Sequence, residues 1–283
     1  MAINQAIPKP PPGIFPSLSP EELAEMERLD TLRKAERMKF VPRFQEGNFQ
    51  STDATVPYRL YIPEDNTDAI PMLIILHGIG GCGNDNLGQI LDNDSVIDWV
   101  KAQDDGSIPP CAVLAPQCPL PIPNVMWEIP YLEAIRDGLE SVVKESRADI
   151  SRIYLTGLSL GGFGAWNLNR LAPDRFAAVI TCCPACIKGE VGRGTIDSDG
   201  LSACVGTLVK VPLWMFHAED DPLVPVAVTQ KMRELLNEKG KTEGDSFKVT
   251  IYPAEQKYNH GCWDPAYKDR EMFNWLFSQR KDK

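Results

Sequence analysis

The sequence predicts an α/β fold with a mostly parallel central sheet and helices on both faces. From about residue 39 onward, apolar segments of strand length alternate with segments of helical periodicity, which is the pattern of strands joined by helical crossovers. Several of the strand segments are near-continuous apolar runs, typical of strands that are buried on both faces. With 283 residues and 43% hydrophobic residues, the chain is long enough to bury one large core.

The N-terminal part of the chain precedes this pattern. Six prolines fall within residues 1–20 and predict an extended tail. Ser19, followed by Pro20 and two acidic residues, predicts a helix start, and the helix should run to about Lys39. Its apolar residues are expected on one face: Leu23, Met26, Leu29, Leu32 and Ala35. We expect this helix to pack on the main domain or on a partner, which leaves a homo-oligomer open, and we divide the chain into residues 1–38 and a catalytic domain, 39–283.

The remaining elements follow in order along the chain. An antiparallel strand pair is predicted at 40–49 and 56–62, because both segments alternate apolar and polar residues. Strands of the parallel sheet are predicted at 70–77, 112–115, 152–155, 177–181 and 213–217, with an edge strand at 247–252. Helices are predicted at 131–144, 161–171, 226–239 and 269–277. Since parallel sheets place their sites in the loops after the strand C-termini, those loops are where we look for chemistry.

Composition argues against several classes of function. Asp and Glu total 39 against 29 Lys and Arg, which gives a net charge of −10. Such a surface repels phosphate backbones, so we expect no nucleic-acid partner. No apolar run approaches the roughly 20 residues of a membrane-spanning helix, and the N-terminus does not resemble a secretory signal, which favours a cytoplasmic location. We expect the eight cysteines to be reduced and buried.

Ser159 is the strongest candidate for a catalytic residue. It lies in the pattern G-x-S-x-G, from Gly157 to Gly161, after a predicted strand and before a predicted helix. The two glycines allow a sharp turn that holds the serine at an exposed, strained tip. This context predicts a nucleophile, whereas the pattern outside it would indicate only a turn.

A nucleophilic serine needs a base, and the chain has only three histidines. His77 and His217 end predicted strands, where an imidazole can simply close a turn by hydrogen bonding. His260 lies in a polar loop after the last predicted strand, from which it can reach a serine on a central strand. We therefore predict His260 as the general base.

A carboxylate should orient that base, and Glu219, Asp220 and Asp221 all follow the strand that ends at His217. The residues themselves do not distinguish the three. The order along the chain is serine, acid, histidine, which among serine hydrolases is the order of the α/β-hydrolase arrangement.

The oxyanion of an acyl-transfer intermediate also needs N–H donors. Leu160, directly after the serine, offers one, and the glycine-rich loop of residues 77–83 offers the other. In that loop Ile79 is our first choice, and Gly78, which would also contact substrate, is the reserve.

Two other sequence patterns indicate different functions, but less strongly than the serine motif does. Residues 78–83 fit G-x-G-x-x-G, with Asp98 at the spacing of a dinucleotide fingerprint, but the motif follows an antiparallel pair and leaves the serine, acid and histidine unexplained. Cys183 and Cys186 form a C-x-x-C pair without a second pair at ligand spacing, so we expect packing and no metal site. We also expect no cofactor.

Five segments together resemble a known superfamily: residues 76–81, 127–131, 153–166, 216–225 and 260–267. They are similar to the α/β-hydrolases of the bacterial esterase and predicted-peptidase type, which are related to phospholipase/carboxylesterase and feruloyl-esterase-like enzymes. The resemblance implies that Asp221 is the acid and that Trp127 lies in a loop lining the substrate. The chain departs from the pattern at Ala218, where the family usually has glycine, in a long loop over 183–210, and in the extension 1–38.

These features predict a serine-dependent carboxylic ester hydrolase that acts on a small-molecule ester through Ser159, His260 and Asp221. Trp127, Trp263 and Tyr131 either shape an apolar pocket or pack in the domain. A serine peptidase acting on short peptides would use the same triad and stays open. A non-catalytic binding protein on this scaffold is disfavoured, since a strained nucleophile serves only catalysis.

Overall fold

The computed structural model describes residues 19–64, 68–120, 127–189 and 192–281. The proline-rich tail predicted before the first helix therefore lies almost wholly outside the described residues. Ten strands and nine α-helices are found in the described ranges.

An eight-stranded sheet forms the centre of the molecule, in the order β1-β2-β4-β3-β5-β6-β9-β10. Its strands are β1 (Phe44–Gln50), β2 (Thr55–Tyr61), β3 (Ile70–Leu76), β4 (Ala112–Pro116), β5 (Ala148–Leu158), β6 (Ala178–Cys182), β9 (Leu213–Ala218) and β10 (Phe247–Tyr252). The pairs β1–β2 and β2–β4 are antiparallel and the others are parallel. A separate hairpin pairs β7 (Ile187–Lys188) with β8 (Thr195–Ile196).

Helices cover both faces of this sheet. They are α1 (Pro20–Met38), α2 (Gly88–Leu91), α3 (Ser95–Asp104), α4 (Ile129–Glu145), α5 (Leu160–Leu171), α6 (Ser198–Leu208), α7 (Ala227–Glu238), α8 (Trp263–Ala266) and α9 (Arg270–Ser278). Helices α4 to α7 share one apolar core with the sheet, and α3 and α9 share the other. Because side chains alternate along a strand, Ile74 of β3 enters the first core while Leu73 and Ile75 enter the second.

The predicted architecture is confirmed, with an N-terminal antiparallel pair, a mostly parallel sheet and an extra N-terminal helix. The first strand starts at Phe44, after a 3-10 turn at Val41–Arg43. The predicted elements did not include the hairpin or four of the helices, α2, α3, α6 and α8. Of these, α3 carries the apolar run Val96, Ile97, Trp99 and Val100, all of them buried, so its periodicity could have been recognised.

Of the two alternatives for α1, packing of its apolar side chains on the main domain is not found, and packing on a partner stays a prediction. Leu23, Met26, Leu29 and Leu32 are 37–51% exposed. They are spaced three residues apart, and with 3.6 residues per turn each step rotates the side chain by about 60° backward around the axis. The apolar side chains therefore wind around the helix and do not form one face.

Arg37, near the end of α1, makes the buried contact of this helix instead. Its guanidinium bonds to Asp94 at 3.0 Å and to the carbonyl oxygens of Leu91 and Asp92 at 2.9 and 3.1 Å. The first turn of α1 is closed by the predicted cap, in which Ser19 and Glu22 bond each other's backbone N–H. None of the helices in the described ranges combines the length and hydrophobicity needed to cross a bilayer.

Candidate active site

Ser159 occupies the turn between β5 and α5, with a positive φ of 53°. A non-glycine residue rarely adopts this conformation, and where it does the surrounding structure must impose it. The flanking glycines make the turn possible: a Cβ on Gly157 would lie 2.1 Å from the Gly161 carbonyl oxygen, and one on Gly161 would lie 1.9 Å from that of Leu76. The turn thus holds the hydroxyl at the C-terminal edge of the sheet.

The structure brings together the three residues that the sequence suggested. Ser159 Oγ lies 2.8 Å from His260 Nε2, and His260 Nδ1 lies 2.7 Å from Asp221 Oδ2. In the neutral imidazole, Nδ1–H donates to the carboxylate and Nε2 accepts from the hydroxyl. Ser159 and the His260 side chain remain 8% and 14% exposed, while the Asp221 side chain has no exposed surface. An arrangement of this kind can activate a serine hydroxyl through an imidazole base that a carboxylate orients.

Geometry distinguishes the three neighbouring carboxylates. Asp221 faces His260, and its other oxygen accepts from the N–H groups of Leu223 and Val224 at 2.8 and 2.9 Å. Asp220 accepts from the N–H of Asn259 at 3.1 Å, and Glu219 from that of Ala254 at 3.2 Å. The last two are therefore not simply solvated loop charges, because they bond the backbone of the segment that carries His260.

Local electrostatics favour an ionised acid beside the base. Burial alone would raise the pKa of Asp221, but hydrogen bonds from His217, His260 and the Val224 N–H outweigh it and lower the pKa to about 2. Burial disfavours the imidazolium of His260 and so lowers its pKa, whereas the hydrogen bond to ionised Asp221 and the charge of that carboxylate raise the pKa. Burial raises the pKa of the Cys183 thiol well above its usual range, so this thiol is uncharged at neutral pH.

The predicted oxyanion donors flank the serine. Leu160 is the first residue of α5, and Ile79 is the first residue of a 3-10 turn at Ile79–Gly81. Within the described residues neither N–H donates to a protein acceptor, as expected for groups at a helix start. Gly78 packs directly against the site, since a Cβ there would lie 3.5 Å from Ser159 Cβ. Both donors remain predictions.

The glycine loop does not have the structure of a dinucleotide site. It leads into the 3-10 turn and then the four-residue α2, where a dinucleotide fingerprint would open a long helix. The loop is held instead by Gln117, which donates to the Gly81 carbonyl at 3.1 Å, and by His77, which accepts from the Cys118 N–H at 2.9 Å. Gln117 was not identified from sequence.

The two candidate substrate-contacting tryptophans differ. Trp263 is partly exposed, and its ring meets that of His260 edge-on with centroids 5.4 Å apart. Trp127 has no exposed surface; its indole N–H donates to the His77 carbonyl at 3.4 Å. The substrate contact of Trp127 therefore stays a prediction; in this structure its ring lies against His77, at the start of the glycine loop. Tyr131, at the start of α4, is partly buried against the core.

Three potential metal ligands also meet at this place. Cys183 Sγ, a His260 nitrogen and an Asp221 oxygen lie within 4.8 Å of one another. An ion there would have to replace the proton shared by His260 and Asp221 and also ionise a thiol whose pKa burial raises. These donors therefore suit a proton-transfer site better.

The eight cysteines are free and buried. Within the C-x-x-C pair, the Sγ of Cys186 donates to the Asp197 carbonyl at 3.4 Å.

Among known proteins, similarity to this chain is found only with solved structures. No protein-family model and no curated protein matches the sequence. A solved structure described as a thermostable esterase is 31% identical with a TM-score of 0.70; the match covers 86% of this chain and 64% of that one. This chain thus spans just under two thirds of that esterase.

More distant structures share the fold. The feruloyl esterase module from Clostridium thermocellum complexed with sinapinate is 12% identical with a TM-score of 0.62, covering 85% of this chain and 90% of that one. An acylaminoacyl peptidase in complex with a chloromethyl ketone is 16% identical with a TM-score of 0.54, covering 85% and 42%. The α/β-hydrolase resemblance predicted from the sequence is confirmed.

Proposed function

We propose that this chain, which has the α/β-hydrolase fold, is a serine-dependent carboxylic ester hydrolase. The observation that carries the proposal is the continuous hydrogen-bond chain from Ser159 Oγ through His260 to the buried Asp221. The strained backbone of Ser159 supports it further, since strain at a serine between a strand and a helix is a feature of catalytic turns.

In the proposed mechanism, His260 Nε2 takes the proton of Ser159 as Oγ attacks the ester carbonyl. Leu160 and Ile79 donate N–H groups to the oxyanion that forms. The imidazolium, stabilised by Asp221, gives the proton to the departing alkoxide as its bond to the carbonyl carbon breaks. The alcohol leaves, and the acyl group stays bonded to Ser159 Oγ. Water then attacks the acyl-serine with His260 as base, releasing the carboxylic acid and restoring the hydroxyl. The nucleophile, the base, the acid and the oxyanion donors are all groups of this chain.

Hydrolysis of p-nitrophenyl esters of increasing acyl length tests the proposal. Ser159→Ala is expected to lower kcat about a thousandfold or more, because the nucleophile is lost. A matched control is Ser202→Ala, which removes an exposed hydroxyl on α6 that bonds only the Ser198 carbonyl, and it should hydrolyse the esters at the normal rate. A fluorophosphonate should label the unmodified chain on Ser159, and absence of both label and turnover would refute the proposal.

Ester and amide preference is measured in the same experiment. A p-nitrophenyl ester and a p-nitroanilide with the same acyl group differ only in the leaving atom. We expect the ester to be the better substrate by a wide margin. Comparable kcat/KM values for the anilide would favour a peptidase instead, the alternative that the shared triad leaves open.

A further inference from the structure

His217 lies behind the acid of the proposed triad. It is near the C-terminal end of β9 and has no exposed surface. Its Nδ1 is 2.8 Å from Thr229 Oγ1 on α7, and its Nε2 is 3.0 Å from the Val224 carbonyl oxygen. The same Nε2 lies 3.4 Å from Asp221 Oδ2, the oxygen that also accepts from His260.

The partners of His217 fix where its proton lies. The Val224 carbonyl can only accept, so Nε2 must carry a hydrogen. In the neutral ring Nδ1 then accepts from the Thr229 hydroxyl. The Nε2–H therefore donates to the Val224 carbonyl. Because Nε2 also lies 3.4 Å from Asp221 Oδ2, the dipole of this N–H favours negative charge on that oxygen.

We propose that His217 is a positioning residue for Asp221, which holds the carboxylate in line with His260 from the side opposite the serine. This inference rests on the proposed function, since it gives His217 a role through the same triad. Two contacts support it: Nε2 lies 3.4 Å from Oδ2, and it donates to the carbonyl of Val224, whose own N–H donates to Oδ1. Both carboxylate oxygens of Asp221 are thus contacted by one group of residues: Oδ2 by His217, and Oδ1 by the N–H groups of Leu223 and Val224.

The other reading is that His217 only joins β9 to α7 and the following turn. The two readings differ in what happens to the base. Without the N–H, charge on Oδ2 is stabilised less, so the carboxylate attracts the His260 proton more strongly. The acid limb of the kcat/KM profile should then move to higher pH. Titratable groups close to His260 include the thiols of Cys183 and Cys262, whose pKa values burial raises well above the usual range, and Asp220, which accepts from the Asn259 N–H. These groups are the same in every variant compared, so a difference in this limb between variants reports the change at Asp221.

The main experiment compares His217→Leu with His217→Gln, in which the amide can still present an N–H near the position of Nε2. For His217→Leu we expect kcat about 10-fold lower, the factor of one hydrogen bond to a charged group, with KM unchanged and the acid limb shifted upward. His217→Gln should recover most of both effects. Met215→Ala controls for lost stability, because it opens a cavity on the same strand without touching Asp221, and it should leave the pH profile in place.

A second readout does not depend on turnover. The proton that His260 Nδ1 donates to Asp221 should give a low-field proton NMR signal, and its chemical shift should change in His217→Leu but not in Met215→Ala. If the unmodified chain hydrolyses no ester, the proposed function fails and this signal alone decides the role of His217. If His217→Leu does not fold, Thr229→Val replaces it and should give a smaller change in the same direction. An unchanged signal and acid limb in the folded variants would overturn the proposal.

Discussion

His77 shows at the scale of one residue how burial of an imidazole affects stability. It is 1% exposed, and its ring bonds the Gly78 carbonyl and the Cys118 N–H. These partners require a neutral ring with hydrogen on Nδ1, because the other nitrogen accepts a bond. Burial accordingly lowers the pKa of His77 from 6.5 to about 4. A histidine that the fold keeps neutral destabilises the folded state in acid.

The pH dependence follows from that shift. Above pH 6.5 the ring is neutral whether the chain is folded or unfolded. Between pH 6.5 and about pH 4 the imidazole of the unfolded chain is protonated, whereas that of the folded chain stays neutral. The free energy of unfolding should therefore fall by about 3 kcal/mol from this residue as pH drops through that window. Urea denaturation at several pH values tests this against His77→Gln, which can accept from the same N–H and does not titrate. Parallel stability curves for the two proteins would contradict the prediction.

Whether a residue could be predicted depends on how local its signal is. Ser159 was identified because the glycines that shape its turn are two residues away, and His260 because the chain has few histidines. The choice of Asp221 among three carboxylates needed either the family resemblance or the structure. Gln117 was missed, and His217 was given only a turn-closing role, because the partners of both are brought near only by folding. A histidine four residues before an acid was nevertheless visible in the sequence.

At the scale of elements, buried strands were the most predictable because apolar runs reflect burial on both faces. The N-terminal helix was predicted in extent, from Pro20 to about Lys39, by its cap and composition, but not in its packing. The buried contact of α1 is made by Arg37. The partners of this side chain, Leu91, Asp92 and Asp94, are more than 50 residues further along the chain. No periodicity of apolar residues could have indicated an attachment made by a guanidinium.

This attachment predicts unequal effects of two arginines on the same helix. Arg37→Ala should lower the free energy of unfolding by about 2 kcal/mol, because it removes a charge-assisted bond and leaves two carbonyl oxygens without their donor. Arg28→Ala, which removes an exposed pair with Glu25, should have no measurable effect. Urea denaturation measures both, and limited proteolysis between α1 and the sheet should be faster for Arg37→Ala. Equal stability of the two variants would show that Arg37 does not anchor the helix.

At the scale of the whole molecule, the net charge of −10 acts on whatever approaches the site. Many surface charges are paired within a few ångströms, as Arg43 is with Asp104 at 2.6 Å and Arg175 with Glu140 at 2.9 Å. Paired charges cancel at a distance, so the field felt by a substrate comes from the excess of carboxylates. Such a field slows the approach of anions, and dissolved salt screens it.

The expected consequence is a salt effect that depends on the charge of the substrate. Between about 10 mM and about 500 mM NaCl, kcat/KM for an ester with a carboxylate on its acyl chain should rise a few-fold as repulsion is screened. A neutral ester of the same chain length should change little over the same range, and it corrects for any effect of salt on the enzyme itself. The kcat values should stay constant for both, because the field acts on encounter and not on the bound ester. Equal salt dependence of the two substrates would mean that the excess charge lies too far from Ser159 to matter.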